Sequence, residues 1–300
     1  MKSAFIKKLK PWMLPIAMLL GVVLHNYIGH VAFLSKYLIF MMLLITFTRV
    51  TPRNIKPDKS MLWLLLIQVG GAVAVYYALR WWSEDVAQSA FICVFCPTAT
   101  AAPVITGMLG GSVEKVAAYS LLSNLVVALT APLLLAYINE NAGISFFAAM
   151  NNISINVLPL ILGPLAVALI LRGGVPKLHS AIANHQSLSF YIWAISLIIV
   201  VGNAVSFVMK EPASMVPEMI VMGVISFILC VGQFYWGRKV GAKYGDKIAA
   251  AQSLGQKNTV LAIWLALTYL NPVASVGPAC YIAWHNGVNS YQIYKKSKKK

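Results

Sequence analysis

Charge is what this sequence has least of. Only 11% of its 300 residues are Asp, Glu, Lys or Arg, where a soluble domain carries about a quarter. Acids are the scarcest, with 8 Asp and Glu against 24 Lys and Arg and a net charge of +16. No polar stretch is long enough to fold alone, which excludes a soluble appendage. Catalytic signatures are missing too. There is no H-E-x-x-H, no paired Asp and no G-x-S-x-G; hydrolysis inside a membrane would need such a set, so the chain reads as not an enzyme. Cysteine is limited to Cys93, Cys96, Cys230 and Cys280, all in apolar segments. Cys93 and Cys96 form a C-x-x-C, but no second pair or nearby histidine supports redox or metal chemistry. They read as small residues packed between helices, and no cofactor or metal is expected.

What is abundant is apolar surface: 59% of the residues are hydrophobic and the mean hydropathy is +0.75. Apolar runs of about 20 residues mark membrane spans. They fall at about 12–28, 33–47, 61–79, 87–109, 113–138, 155–171, 188–208, 215–236, 246–271 and 273–294. The expected class is therefore an all-α membrane protein of ten transmembrane helices, a single domain over 1–300. The N-terminus has a basic region and an apolar run but no small-x-small cleavage site, so it reads as an uncleaved first helix.

In a soluble protein a charge of +16 would point to nucleic acid; here it reads as the basic excess of cytoplasmic loops, with no nucleic-acid partner. With the N-terminus inside, nearly all of the 24 Lys and Arg face the cytoplasm. They include Lys2, Lys7, Lys8 and Lys10, the loop holding Arg49, Arg53, Lys56 and Lys59, the stretch from Arg238 to Lys247, and the C-terminal KKSKKK. Only Lys36, Arg80 and Lys210 fall on the other side, and Lys257 stays in the membrane. The expected location is a bacterial inner membrane, with both termini cytoplasmic and lipid as the surroundings.

Two spans carry the chemistry. The fourth is interrupted by Pro97 and Pro103 around Thr98 and Thr100, which a continuous helix does not tolerate without kinking or breaking. The ninth reads Ser253, Leu254, Gly255, Gln256, Lys257, Asn258, Thr259 at its middle. A charge at bilayer mid-depth costs several kcal/mol, and freed backbone groups there must face protein or a cavity. Lys257 could instead snorkel to an interface, although it lies far from either end of its span. Thr98 and Thr100 can also be read simply as caps, and His25 and His285 as packing residues. All the acids lie in loops or at span ends, so no intramembrane carboxylate is available to carry protons. The interrupted spans occupy matching places in two halves, about 12–138 and 155–294. That pattern points to inverted five-span repeats with a site at mid-depth, where half-helix N-termini favour anions.

These residues resemble the bile acid:sodium symporter superfamily across the whole ten-span plan. The resemblance rests on Cys96-Pro97 with Thr100-Ala101, on Gly255-x-x-Asn258 with Leu261-Ala262, and on Trp284-His285-Asn286. It implies a core of spans three to five and eight to ten rocking against a panel of spans one, two, six and seven. It also implies a small organic anion as substrate, usually moved with sodium. The ninth span departs from the family's Glu-x-Gly-x-Gln-Asn: Ser253 replaces the carboxylate and Lys257 the glutamine. Ala102-Pro103 stand where relatives have Ser-Asn, and Val116 where a hydroxyl is expected, while Ser120 retains one and Gln68 matches a ligand position. One lysine and a serine carry the same +1 as two sodium ions and a glutamate. These departures point to sodium-independent anion transport with Lys257 in place of the coupling cation, either permanently charged and solvated by Ser253, Asn258 and Gln68 or loading a proton with each anion. Gln256, Thr259, Thr98, Thr100, Ser120, His285 and Asn286 complete the expected site. A conventional sodium:organic anion symporter is the alternative within transport, and a receptor or assembly subunit the alternative outside it.

Overall fold

The computed structural model of the chain describes residues 13–48, 58–138, 145–184 and 186–298. The lysines at 2, 7, 8, 10, 299 and 300 and the loop residues Arg49, Arg53 and Lys56 lie outside them. Helix α1 (Met13–Val23) leads through a bend to α2 (Leu34–Thr48). Next come α3 (Lys59–Leu79), α4 (Glu84–Phe95), α5 (Ala102–Leu109) and α6 (Val113–Ile138). The second half contains α7 (Phe146–Gly174), α8 (Pro176–Asn184), α9 (Gln186–Val208) and α10 (Val216–Lys243). It ends with α11 (Lys247–Gly255), α12 (Thr259–Tyr269) and α13 (Val276–Ser297). No strand occurs among the described residues beyond one isolated bridge, between Thr98 and Lys257.

Helices start where a short polar side chain precedes an apolar run and accepts an otherwise unmet N–H. Asp58 accepts from Met61 N before α3, Ser83 from Val86 N before α4, and Ser145 from Ala148 N before α7. Burial pushes the Asp58 carboxyl up, yet bonds from Ser60, Met61 N and Lys115 outweigh it and hold it below the ordinary carboxylate value.

Among the described residues, five helices are long and apolar enough to cross a membrane: α3, α6, α7, most of α9, and α10 with its preceding turn. The turn at His25–Val31 and α2 make a sixth when taken together across a 73° bend. Large apolar side chains such as Leu62, Trp63, Phe147, Ile155, Ile220 and Ile228 lie on the outer faces. The apolar helices mark a membrane-embedded protein. The fourth and ninth spans, expected to be broken, are pairs of short helices, α4 with α5 and α11 with α12. The tenth, α13, carries His285, Asn286, Asn289 and Gln292 and falls outside the apolar set. Most residues of α4, α11 and α12 are buried, so the polar backbone at the breaks meets protein.

Three expected loops are partly helical. The connection before the sixth span turns helical at Phe146, because Ser145 caps the apolar stretch that follows. The linker over 173–186 contains the exposed helix α8. The basic stretch after Trp236 continues α10 to Lys243, and the chain turns only near Gly245, at φ +87°. There Gly237 and Gly241 face α11 so closely that a Cβ on Gly237 would stand 2.5 Å from Ala250 O. Two groups of helices result. Helices α1, α2, α7 and α9 pack together, and α3, α4, α5, α6, α10, α11, α12 and α13 form the other group. The groups meet through α6 on α7, a packing as extensive as any within the first group, through α9 on α12, α13 and the turn at 272–275, and through α12 on α2.

Candidate functional site

The two interrupted segments cross at their breaks. Ala99 N donates to Gln256 O (2.9 Å) and Asn258 N to Pro97 O (2.8 Å), a two-bond antiparallel ladder joining the segments. It satisfies backbone groups that each broken helix leaves unpaired. The C-terminal ends of α4 and α11 and the N-terminal ends of α5 and α12 all lie at this ladder.

Around the ladder the side chains are arranged in matching pairs. Thr98 Oγ1 donates to Ser253 O in the last turn of α11 (2.6 Å), and Lys257 Nζ donates to Val94 O in the last turn of α4 (2.7 Å). Each break residue thus reaches back to the end of the other segment's first half-helix. Gln68 on α3 accepts from Tyr119 OH on α6 (2.7 Å), and Gln233 on α10 donates to Tyr281 OH on α13 (3.0 Å). Tyr281 OH donates in turn to Gly255 O at 2.8 Å. Above Gly255 lies the Phe234 ring, where a Cβ would come within 2.5 Å, so glycine permits this close approach.

Lys257 is 1% exposed, and it is the only Lys, Arg, Asp or Glu buried among the described residues. No carboxylate lies in ion-pair contact with it; the ion pair found among the described residues is Lys115–Asp58. Its ammonium sits instead at a helix C-terminus, where the carbonyls of the last turn carry partial negative charge. The same end of α4 is capped further by Gln68 Nε2, which donates to Phe95 O at 2.8 Å and Cys96 O at 3.4 Å, and by Gln233 Nε2 to Cys93 O at 3.4 Å.

The expected partners of the ammonium need correcting. Gln68 Oε1 is taken by Tyr119 OH and by Ser123 Oγ at 2.9 Å. Asn258 Oδ1 caps α12 through Leu261 N at 3.3 Å, and Ser253 contributes its carbonyl, to Thr98. Asn258 Nδ2 is buried and has no partner among the described residues. Thr259 is the buried first residue of α12. Just before α5, Thr100 is partly open and Ala101 exposed, and their N–H groups meet no acceptor among the described residues. Ser120 lies one turn from Asn124, whose Nδ2 donates to Ser120 O at 2.7 Å.

Gln256 is bonded to Gln252, which continues to Asn289 (3.1 Å) and Gln292 (3.3 Å) on α13. Two expected residues make no hydrogen bond to either break among the described residues. Asn286 donates to Ile282 O of its own helix, and His285 packs edge-on to Tyr281 with ring centres 5.7 Å apart. Sequence reasoning missed Tyr119, Ser123, Gln233, Gln252 and Tyr281. Tyr119 and Tyr281, polar-tipped residues within apolar runs, were the available signal. Ala102 and Val116 pack with Ala249 as a small buried apolar cluster, with no side-chain oxygen among the three. No family model matches the chain, and no curated protein matches it.

Proposed function

We propose that this protein is a secondary carrier, one that moves a small organic anion across the membrane by alternating access, without sodium. In this reading it is a divergent carrier of the bile acid:sodium symporter kind, with ten spans in two inverted halves. Lys257 takes the place of the coupling cation. The observation that carries the proposal is the bond from Lys257 Nζ to Val94 O across the crossing. It anchors one positive charge where two half-helices end and two begin, the arrangement from which secondary transporters build mid-depth sites. The matched pairs Thr98–Ser253 with Lys257–Val94, and Gln68–Tyr119 with Gln233–Tyr281, support a pseudo-two-fold relation between the halves. The helix grouping supports a panel of α1, α2, α7 and α9 beside a core holding the crossing.

The unmet N–H groups of Thr100 and Ala101 and the free Asn258 Nδ2 are donors suited to a carboxylate or similar anion. Sodium wants oxygen ligands, and Ala102, Val116 and Ala249 supply none from their side chains. Transport energetics then turn on Lys257. A permanently charged lysine returns with its charge, so an anion moving alone is driven outward by a negative interior, by about 2.3 kcal/mol per charge per 100 mV. A lysine that releases its proton on the empty return would load one proton with each anion and give electroneutral uptake of a monoanion. We favour the fixed charge, held by the end of α4.

The Lys257→Gln variant keeps an amide donor for Val94 O while removing the charge. Anion affinity is expected to fall about tenfold to a hundredfold, the range of a charge-assisted hydrogen bond. A binding screen over small organic anions, compared between wild type and Lys257→Gln, reads this directly; equal affinities would refute the role given to the lysine. In liposomes at zero membrane potential, a pH gradient is expected to drive no accumulation. Accumulation there would replace the fixed charge by proton loading.

A further inference from the structure

Two grooves flank α10 at its basic end. One lies between α3 and α10 and is lined by Trp63, Gly70, Trp236, Lys239 and Lys243. The other, of about 830 Å³, lies between α10 and α13. The floor of the second is apolar. Trp284 Nε1 is held by Gly223 O (3.1 Å) and Ser226 Oγ (3.0 Å), and its ring meets Phe227 edge-on at 5.2 Å. Val231 completes the floor, and Arg238, Lys295 and Lys296 stand at one end. None of these three cations has a carboxylate in ion-pair contact among the described residues. Away from the cations, α10 is also exposed and apolar at Ile220, Val224 and Ile228.

We propose that this groove binds an anionic glycerophospholipid. Its headgroup phosphate lies among Arg238, Lys295 and Lys296, and an acyl chain follows Phe227, Val231 and Trp284. Three cations without a carboxylate partner among the described residues, over an apolar floor, match a molecule charged at one end and apolar along its length. A soluble anion would leave that floor unused. The location gives the lipid leverage on the crossing. Lys296 Nζ donates to Met108 O at the end of α5 (3.1 Å), and Ile248, in the first turn of α11, also lines the groove. An occupant therefore touches one half of each interrupted segment. The inference rests on the membrane-embedded reading and is independent of any transport.

Native mass spectrometry of the detergent-purified full chain tests it, with phosphatidylglycerol and phosphatidylcholine of identical acyl chains as probes. Phosphatidylglycerol is expected to bind about tenfold or more tightly than phosphatidylcholine. The Arg238→Gln/Lys295→Gln variant is expected to lose that preference, and the charge-matched Lys239→Gln/Lys243→Gln variant to keep it. Val231→Trp, which fills the floor without touching a charge, is expected to weaken both lipids. Equal binding of the two lipids, or equal loss in both double variants, would overturn the site in favour of diffuse attraction to a basic surface. Displacement by millimolar glycerol 3-phosphate, or full binding to Val231→Trp, would overturn the lipid and leave a soluble anion.

Discussion

Thr98 and Lys257 occupy matching places at the crossing, and both donate to a carbonyl of the opposite half-helix. The difference between them is an amine that can carry a charge, and burying a charge without a paired ion lowers stability. Thr98 is the residue at which the structural part of this arrangement can be measured alone. Thr98→Val is expected to lower stability by about 1–3 kcal/mol, because Ser253 O loses its side-chain donor. Thr98→Ser keeps the hydroxyl and is expected to stay near wild type. Thermal unfolding in detergent compares the two, and equal melting of wild type and Thr98→Val would show that the bond contributes little. The identity of Lys257 as the buried charge was legible because no other Lys or Arg lies deep within an apolar run. Its partner was not. Val94 contributes a main-chain carbonyl, a group every residue carries, so nothing in the side-chain pattern singles it out.

At the scale of elements, the short helices persist because their ends are capped by other parts of the chain. Isolated helices of the length of α11, 9 residues, are marginal in water. Asp246 supports this one. Its carboxylate accepts from Ile248 N (3.1 Å) and Ala249 N (2.7 Å), and also from Ser112 N just before α6 (2.8 Å). Asp246→Ala is therefore expected to cost about 1–2 kcal/mol as a lost cap, with a further loss from the unmet Ser112 N. Asp246→Asn is expected to recover most of it. Hydrogen exchange over 247–255 would localise the effect, and uniform exchange across all helices would argue against a local cap. The breaks at Pro97 and Gly255 were legible from proline, glycine and a polar patch inside apolar runs. The helical starts at Phe146 and in α8, and the extension of α10, were not. The last depends on Gly237-x-x-x-Gly241 meeting α11, a contact between segments that local pattern does not encode.

Across the whole molecule, charge separates to opposite ends. At one end Lys115 pairs with Asp58 at 3.3 Å, and Lys115 and Lys296 reach Tyr244 O and Met108 O. At the other, Tyr76 bonds Glu84 (2.6 Å), Asn271 bonds Asp85 (2.7 Å) and Ser83 bonds Glu218. If the basic end is cytoplasmic, as positive loops usually are, cysteines placed next to Lys298 are expected to be labelled only from the inside. Labelling from outside intact cells would reverse the orientation. The apolar cluster of Ala102, Val116 and Ala249 leads to a second expectation at this scale: substrate affinity is the same in sodium and in potassium. A tenfold gain in sodium, about 1.4 kcal/mol of coupling, would return the chain to sodium-coupled transport.

By itself the sequence determined the membrane setting, the places where two helices break, and the isolation of one lysine within apolar surroundings. These follow from composition and from local rules, since apolar length, proline and glycine act on the segment that contains them. Only the tertiary structure decided which groups meet at the breaks. It paired Pro97 and Ala99 with Asn258 and Gln256, turned Gln68 away from the ammonium toward Tyr119 and Ser123, and set Lys257 on the carbonyl of Val94. Those contacts join residues far apart in the chain, and they depend on how buried backbone groups find partners once the helices have packed.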